Sequence, residues 1–294
     1  MSTSSPTHWI DGWTVDQPAQ IGYVAVGRDE GTWQSFPEAG LESRDLGLTE
    51  ASHGQISAVH IRNTRESGLG EWHCWDLDFE FFYVLKGSMK LENQEGEVHE
   101  FGPGSAGVHP GLYFHRVHFM SSDLEVVQIT APANGKRLGG RDTPLPPRAQ
   151  SLPADRTAVY THEAPENYEL GAGPRKFFRY RDLGTRAATD ERIHIHVVRA
   201  SEPGAGTGWH YHSMAQWFMI VGGDSWIRVE DRPAEHLVVG DTMCIGSGPN
   251  MRHNVAPFSG DYAVLEMCVP AEYETNAVPP PEGAAPPPVE GTKE

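Results

Sequence analysis

Cysteine, cationic side chains and long apolar runs are all in short supply in this chain. Three cysteines in 294 residues, Cys74, Cys244 and Cys268, are too few and odd in number for a disulfide framework, which fits a reducing compartment. No Asn-x-Ser/Thr sequon occurs, and the opening MSTSSPTHWIDGW lacks the charged-then-apolar layout of a secretory signal. The longest strongly apolar stretch, Trp217 to Val221, covers about five residues, against roughly 20 for a helix that spans a bilayer. Lys and Arg total 23 against 40 Asp and Glu, a formal net charge of −17. Such a surface repels phosphate backbones and anionic membrane faces alike. A cytoplasmic protein with neither nucleic acid nor membrane as partner is expected. Nucleophile elbows and phosphate loops are also missing. Gly102-Pro103-Gly104-Ser105-Ala106-Gly107 is glycine-rich but lacks the following Lys-Ser/Thr, and reads as a turn.

What the chain does have is 32 glycines, 23 prolines and 15 histidines. The glycines and prolines point to many short strands joined by turns, and the histidines to a metal. The sequence also repeats itself. Arg44-Asp45-Leu46-Gly47 returns as Arg181-Asp182-Leu183-Gly184, an offset of 137, which Arg62/Arg199, Trp72/Trp209 and His73/His210 share. Gly102/Gly240, His115/His253, Asp123/Asp261 and Pro132/Pro270 follow at 138, and Glu80/Gln216 and Gly87/Gly223 at 136. Matches in this order define a tandem duplication.

Each copy reads as β-structure. Gln55–Arg62 and Arg192–Arg199 alternate or run apolar, Phe79–Leu85 and Trp217–Val221 are apolar and aromatic, and Asp-Gly turns punctuate them. No sustained helical period is present. An all-β barrel per copy is predicted, at 40–132 and 175–270, with an arm at 1–39, a linker at 133–174 and a Pro-rich disordered tail at 271–294. Trp9, Ile10 and Trp13 make the arm apolar enough to pack on a sheet or a neighbouring subunit.

The second copy carries the chemistry. His210 and His212 share a strand face, because positions i and i+2 point the same way. Gln216 joins that face if the strand resumes in phase, and His253 comes from a later strand. Three neutral nitrogens then surround an open coordination position, unless the histidines are simply hydrogen-bonded core residues. Gln216 either ligates through its amide oxygen or orients a substrate through its NH2. In the first copy His73, Glu80 and His115 hold the matching positions, but Trp75 stands opposite His212. A two-His-one-carboxylate site survives there on paper. A structural barrel filled by the indole is the simpler expectation. His196 would face the second pocket as a proton shuttle or be buried and satisfied, whereas His109, His118 and His236 have no evident partner. Of Trp217 and Phe218, one lines the cavity and the other packs between sheets.

Gly204 with His210, His212, Gln216 and Gly222, followed by Gly240, Gly246, Gly248, His253 and Asn254, resembles the two motifs of the cupin superfamily. Gly246 replaces the usual Pro, His253 comes late after Gly248, and Gln216 replaces the usual Glu. The resemblance covers both copies, so the chain resembles a bicupin, and it implies two tandem double-stranded β-helix (jelly-roll) barrels with the metal inside. It further implies a divalent ion at His210, His212, His253 and Gln216, foremost Fe(II), with Mn, Ni and Zn as other choices. Three-His cupins resemble dioxygenases of gentisate-like and diketone substrates. The expected function is therefore cleavage of a C–C bond with dioxygen in a small anionic bidentate substrate. The alternatives are a non-oxidative isomerase, lyase or cyclase, and a non-catalytic ligand-binding bicupin. Homo-oligomerisation is implied by the same resemblance.

Overall fold

A computed structural model describes residues 21–36, 40–152 and 156–284. Trp9 and Trp13 of the arm, and Pro286–Pro288 of the tail, lie outside the described residues. The described chain is all-β apart from single turns of helix, and it divides into two compact units. Of the described residues, the first unit comprises 31–36, 40–152, 156–164 and 183–191, and the second 21–30, 165–182 and 192–284.

In each unit a seven-stranded and a five-stranded antiparallel sheet form the barrel. The first unit's larger sheet is centred on Phe79–Lys86, which pairs with Glu125–Ala131 on one side and Ala106–Pro110 on the other. Six of its eight residues are buried, since a central strand of a closed barrel meets protein on both faces. Its counterpart in the second unit, Ala215–Gly222, lies between Ala263–Val269 and Thr242–Ile245. Phe178, Ile220, Ile227, Met243 and Phe258 belong to one buried cluster of the second barrel. The smaller first sheet brings His73 opposite His115, and the smaller second sheet brings His210 opposite His253.

The repeated Arg-Asp-Leu-Gly has a common local purpose. Gly47 and Gly184 sit at φ 82° and 78° and start the single-turn helices Leu48–Ala51 and Thr185–Ala188. Such left-handed backbone favours glycine.

Two segments behave differently from their composition. Residues 133–174 were expected to be linker, yet Lys136–Gly139 pairs with His73–Asp76 and Val159–Thr161 with Ala106–Pro110. Part of the expected tail also folds: Thr275–Ala277 pairs along His210–His212. Edge strands of this kind need only backbone donors and acceptors that a barrel edge leaves open, so prolines nearby do not prevent them. All three cysteines are buried and none is in a disulfide, and burial pushes the Cys74 thiol up to about 11.

Phe81 is fully buried in the central strand of the first unit. Phe81→Ala should lower stability by about 3–5 kcal/mol, measured as a fall in the denaturant midpoint at unchanged slope.

Candidate metal centre

Strand pairing assembles the second site. His210 and His212 project from one face of their strand, His253 from the strand opposite, and all three are buried. Their ligand-capable nitrogens lie within 4.8 Å of one another. The outer nitrogen of each ring is already engaged. His210 Nδ1 donates to the Gly208 carbonyl at 2.8 Å, His253 Nδ1 to the Met251 carbonyl at 2.9 Å, and His212 Nδ1 meets Thr275 Oγ1 at 2.9 Å. Hydrogen-bonding Nδ1 fixes the tautomer and leaves the Nε2 lone pair for the interior, the arrangement expected of a metal-binding imidazole.

Burial keeps these rings neutral. Desolvation, reinforced by the other imidazoles, brings His210 down to about 3 and holds His212 well below its ordinary value. His253 is lowered chiefly by burial as well. Gln216 reaches the cluster with its side-chain amide nitrogen 3.2 Å from His253 Nε2. The buried face of its strand carries Phe218 into the cavity, while Trp217 turns away into the packing. The cavity over the imidazoles is about 80 Å³ and is also lined by Arg175, Tyr180, Glu266 and Tyr273.

His196 is buried and satisfied: its Nε2 lies 2.7 Å from Glu266 Oε2, and it is Glu266 that faces the cavity. Tyr273, Thr275 and Arg175 were missed in the sequence. They follow or precede the motifs, in stretches where proline and glycine obscure any strand pattern. Cys268 lies with His196 and Glu266 in a second close group.

The first barrel departs from expectation. Trp75 is only half-buried and stands in the cavity wall rather than across it, leaving about 510 Å³ inside. At the floor, His73 and His115 face each other with ring centroids 4.3 Å apart, and His115 Nε2 is 3.9 Å from Glu80 Oε2. His109, which had no evident partner in the sequence, bonds Glu80 Oε2 through Nδ1 at 3.1 Å and the Tyr160 hydroxyl through Nε2 at 3.2 Å. Gln128 donates to the other Glu80 oxygen at 2.6 Å. The hydrogen bond from His109 and the neighbouring imidazoles outweigh burial and hold the Glu80 carboxyl at about 2, so it stays ionised. The strand pairing that sets Glu80 beside His109 sets Gln216 beside Ile245 in the second unit. The other two histidines without an evident partner in the sequence find carboxylates: His118 pairs with Glu92, and His236 with Asp224.

Among solved structures, oxalate decarboxylase from Bacillus subtilis at pH 4.6 aligns with a TM-score of 0.58 at 16% identity. The match covers 90% of this chain and 80% of that one. The chain has the bicupin fold. A second such structure is the formate complex of Lactobacillus farciminis oxalate decarboxylase. It aligns with this chain at a TM-score of 0.60 and 11% identity, over 86% of this chain and 88% of that one. No family model matches the sequence. One curated protein, (R)-mandelonitrile lyase from Granulicella tundricola, is 34% identical over 56 residues, or 19% of this chain. The match spans 43% of that protein's length. Among the described residues, no helix is long and apolar enough to cross a membrane.

In metal-stripped protein, neutral His210, His212 and His253 carry a sign for acid stability. The unfolded imidazoles take up protons near pH 6.5, whereas the folded His210 does so only near pH 3. The unfolded state therefore binds more protons below pH 6.5, and stability falls as pH drops through that window, by at most about 1.4 kcal/mol per pH unit for each ring. Urea midpoints at pH 7, 5.5 and 4 should show the decline, and His210→Gln should flatten it.

Proposed function

We propose that this bicupin is a metal-dependent enzyme whose centre lies in the second barrel, on His210, His212 and His253, with Gln216 completing the donor set. The observation that carries the reading is the shared hydrogen-bond pattern of the three rings: each has Nδ1 occupied and Nε2 turned inward at a common point. Neutral imidazoles fit a borderline divalent ion such as Fe, Mn, Ni or Zn. A donor set without a carboxylate leaves the ion's full positive charge for the substrate, which favours a small anionic molecule with a second oxygen donor. When bound, the ion supplies Lewis-acid polarisation of a coordinated oxygen.

The chain's own residues favour proton-transfer chemistry. Glu266 faces the cavity and is held by buried His196, so a carboxylate with an imidazole behind it stands ready to accept a proton. Phe218, Val264 and Tyr262 in the wall limit water at the same place. We read the reaction as a non-oxidative bond cleavage of the lyase type. The similarity of one segment to a mandelonitrile lyase and the fold shared with oxalate decarboxylases support that choice. A second reading, the Fe(II) dioxygenase, rests on the same three-histidine donor set without a carboxylate. The dioxygenase alone requires stoichiometric oxygen uptake.

Metal content of protein purified without oxygen, beside His210→Ala, tests the centre. About one equivalent lost in the variant is expected, and an unchanged content would refute the assignment. Oxygen uptake during turnover then separates the two reactions. Thr275→Val removes the hydrogen-bond partner of His212 and should weaken metal binding about 10- to 100-fold, read by competition with a chelator dye.

A further inference from the structure

Arg175 is a charged side chain in an unusual position. It lies before the strand Phe178–Asp182 and lines the cavity above His210, His212 and His253. Its backbone N–H donates to the Tyr180 hydroxyl at 3.0 Å. Its side-chain Nη2, by contrast, is buried and has no hydrogen-bond partner. The neighbouring carboxylate in the cavity wall, Glu266, is engaged with His196. A buried guanidinium nitrogen without an acceptor costs free energy, and an arginine fork is shaped to receive two oxygens of a planar anion.

The guanidinium also shares its cavity with the metal-site residues: Arg175, His210, His212 and His253 all line it. A cavity of about 80 Å³ has room for only a short molecule between that cation and the imidazoles.

We infer that Arg175 is the specificity-determining residue of the second barrel, and that it receives the carboxylate of a short-chain substrate whose second oxygen function is directed to the three imidazoles. The inference rests on the metal-centre reading above and narrows its substrate to small hydroxy- or oxo-carboxylates. Glu266 is then left free of the substrate's carboxylate, which Arg175 draws away from it, and remains the proton acceptor. Neutral molecules of the same shape offer Nη2 a single uncharged acceptor in place of a charged two-oxygen fork, and are discriminated against on that ground.

The test uses full-length protein loaded with Zn(II), with metal per chain measured first and binding of glycolate and glycolamide followed by calorimetry. Glycolate should bind the wild type at least tenfold more tightly than glycolamide. Arg175→Gln should keep its zinc and its thermal midpoint, lose at least tenfold in glycolate affinity, and bind glycolamide as before. Arg175→Lys, which retains charge but not the fork, should fall between them. Equal affinity of the wild type for the two probes, or unchanged glycolate affinity in a zinc-loaded Arg175→Gln, would overturn the inference while leaving the metal centre standing. Absence of zinc from the wild type would instead remove the metal centre on which the inference rests.

Discussion

The antiparallel register that sets residue 210 across from residue 253 governs the rest of the second barrel. One residue of slip would turn His253 from the interior to the opposite face of its strand. The rings themselves are oriented locally, by the Gly208 and Met251 carbonyls two residues before each histidine. The same pairing joins His73 to His115 in the first unit. There too the rings are held by nearby carbonyls, Glu71 for His73 and Tyr113 for His115. Backbone hydrogen bonding, rather than any special side chain, makes the pair of facing imidazoles the common inheritance of both halves.

On that shared frame the two barrels have taken opposite electrostatic courses. The second builds its imidazole cluster from uncharged donors and sets a cation, Arg175, and a carboxylate, Glu266, in the cavity wall. The first keeps a buried carboxylate, Glu80, ionised by donors on both of its oxygens. It has also exchanged an imidazole for Trp75 and retains a cavity several times larger. Duplication preserved geometry while polarity diverged, so the two interiors suit different occupants.

The fold and the core of the site were legible because they depend on short-range regularities. Alternation marks strands, i and i+2 spacing places His210 with His212, and the repeat brings His253 into register. What was not legible depends on which strand lies beside which. Nothing near His109 in the chain indicates that Ala106–Pro110 pairs with the strand of Glu80, and nothing near Thr275 indicates that it meets His212. Trp75 was misleading for a related reason. Residue volume suggested a filled barrel, but filling depends on the direction of the side chain and on how far the wall lies from the axis.

Thr275 also bears on the order in which the protein matures during synthesis. The first barrel's buried donors, His73, Glu80, His109 and His115, all precede residue 116, and Tyr160, which supports them, follows within a few dozen residues. The second barrel closes its imidazole cluster with a hydroxyl more than 60 positions beyond His212. A chain emerging from the ribosome N-terminus first therefore finishes one interior well before it can finish the other. Completion of the second imidazole cluster is in this sense a late step, reached only when the segment around residue 275 has come back to lie along the strand of its histidines.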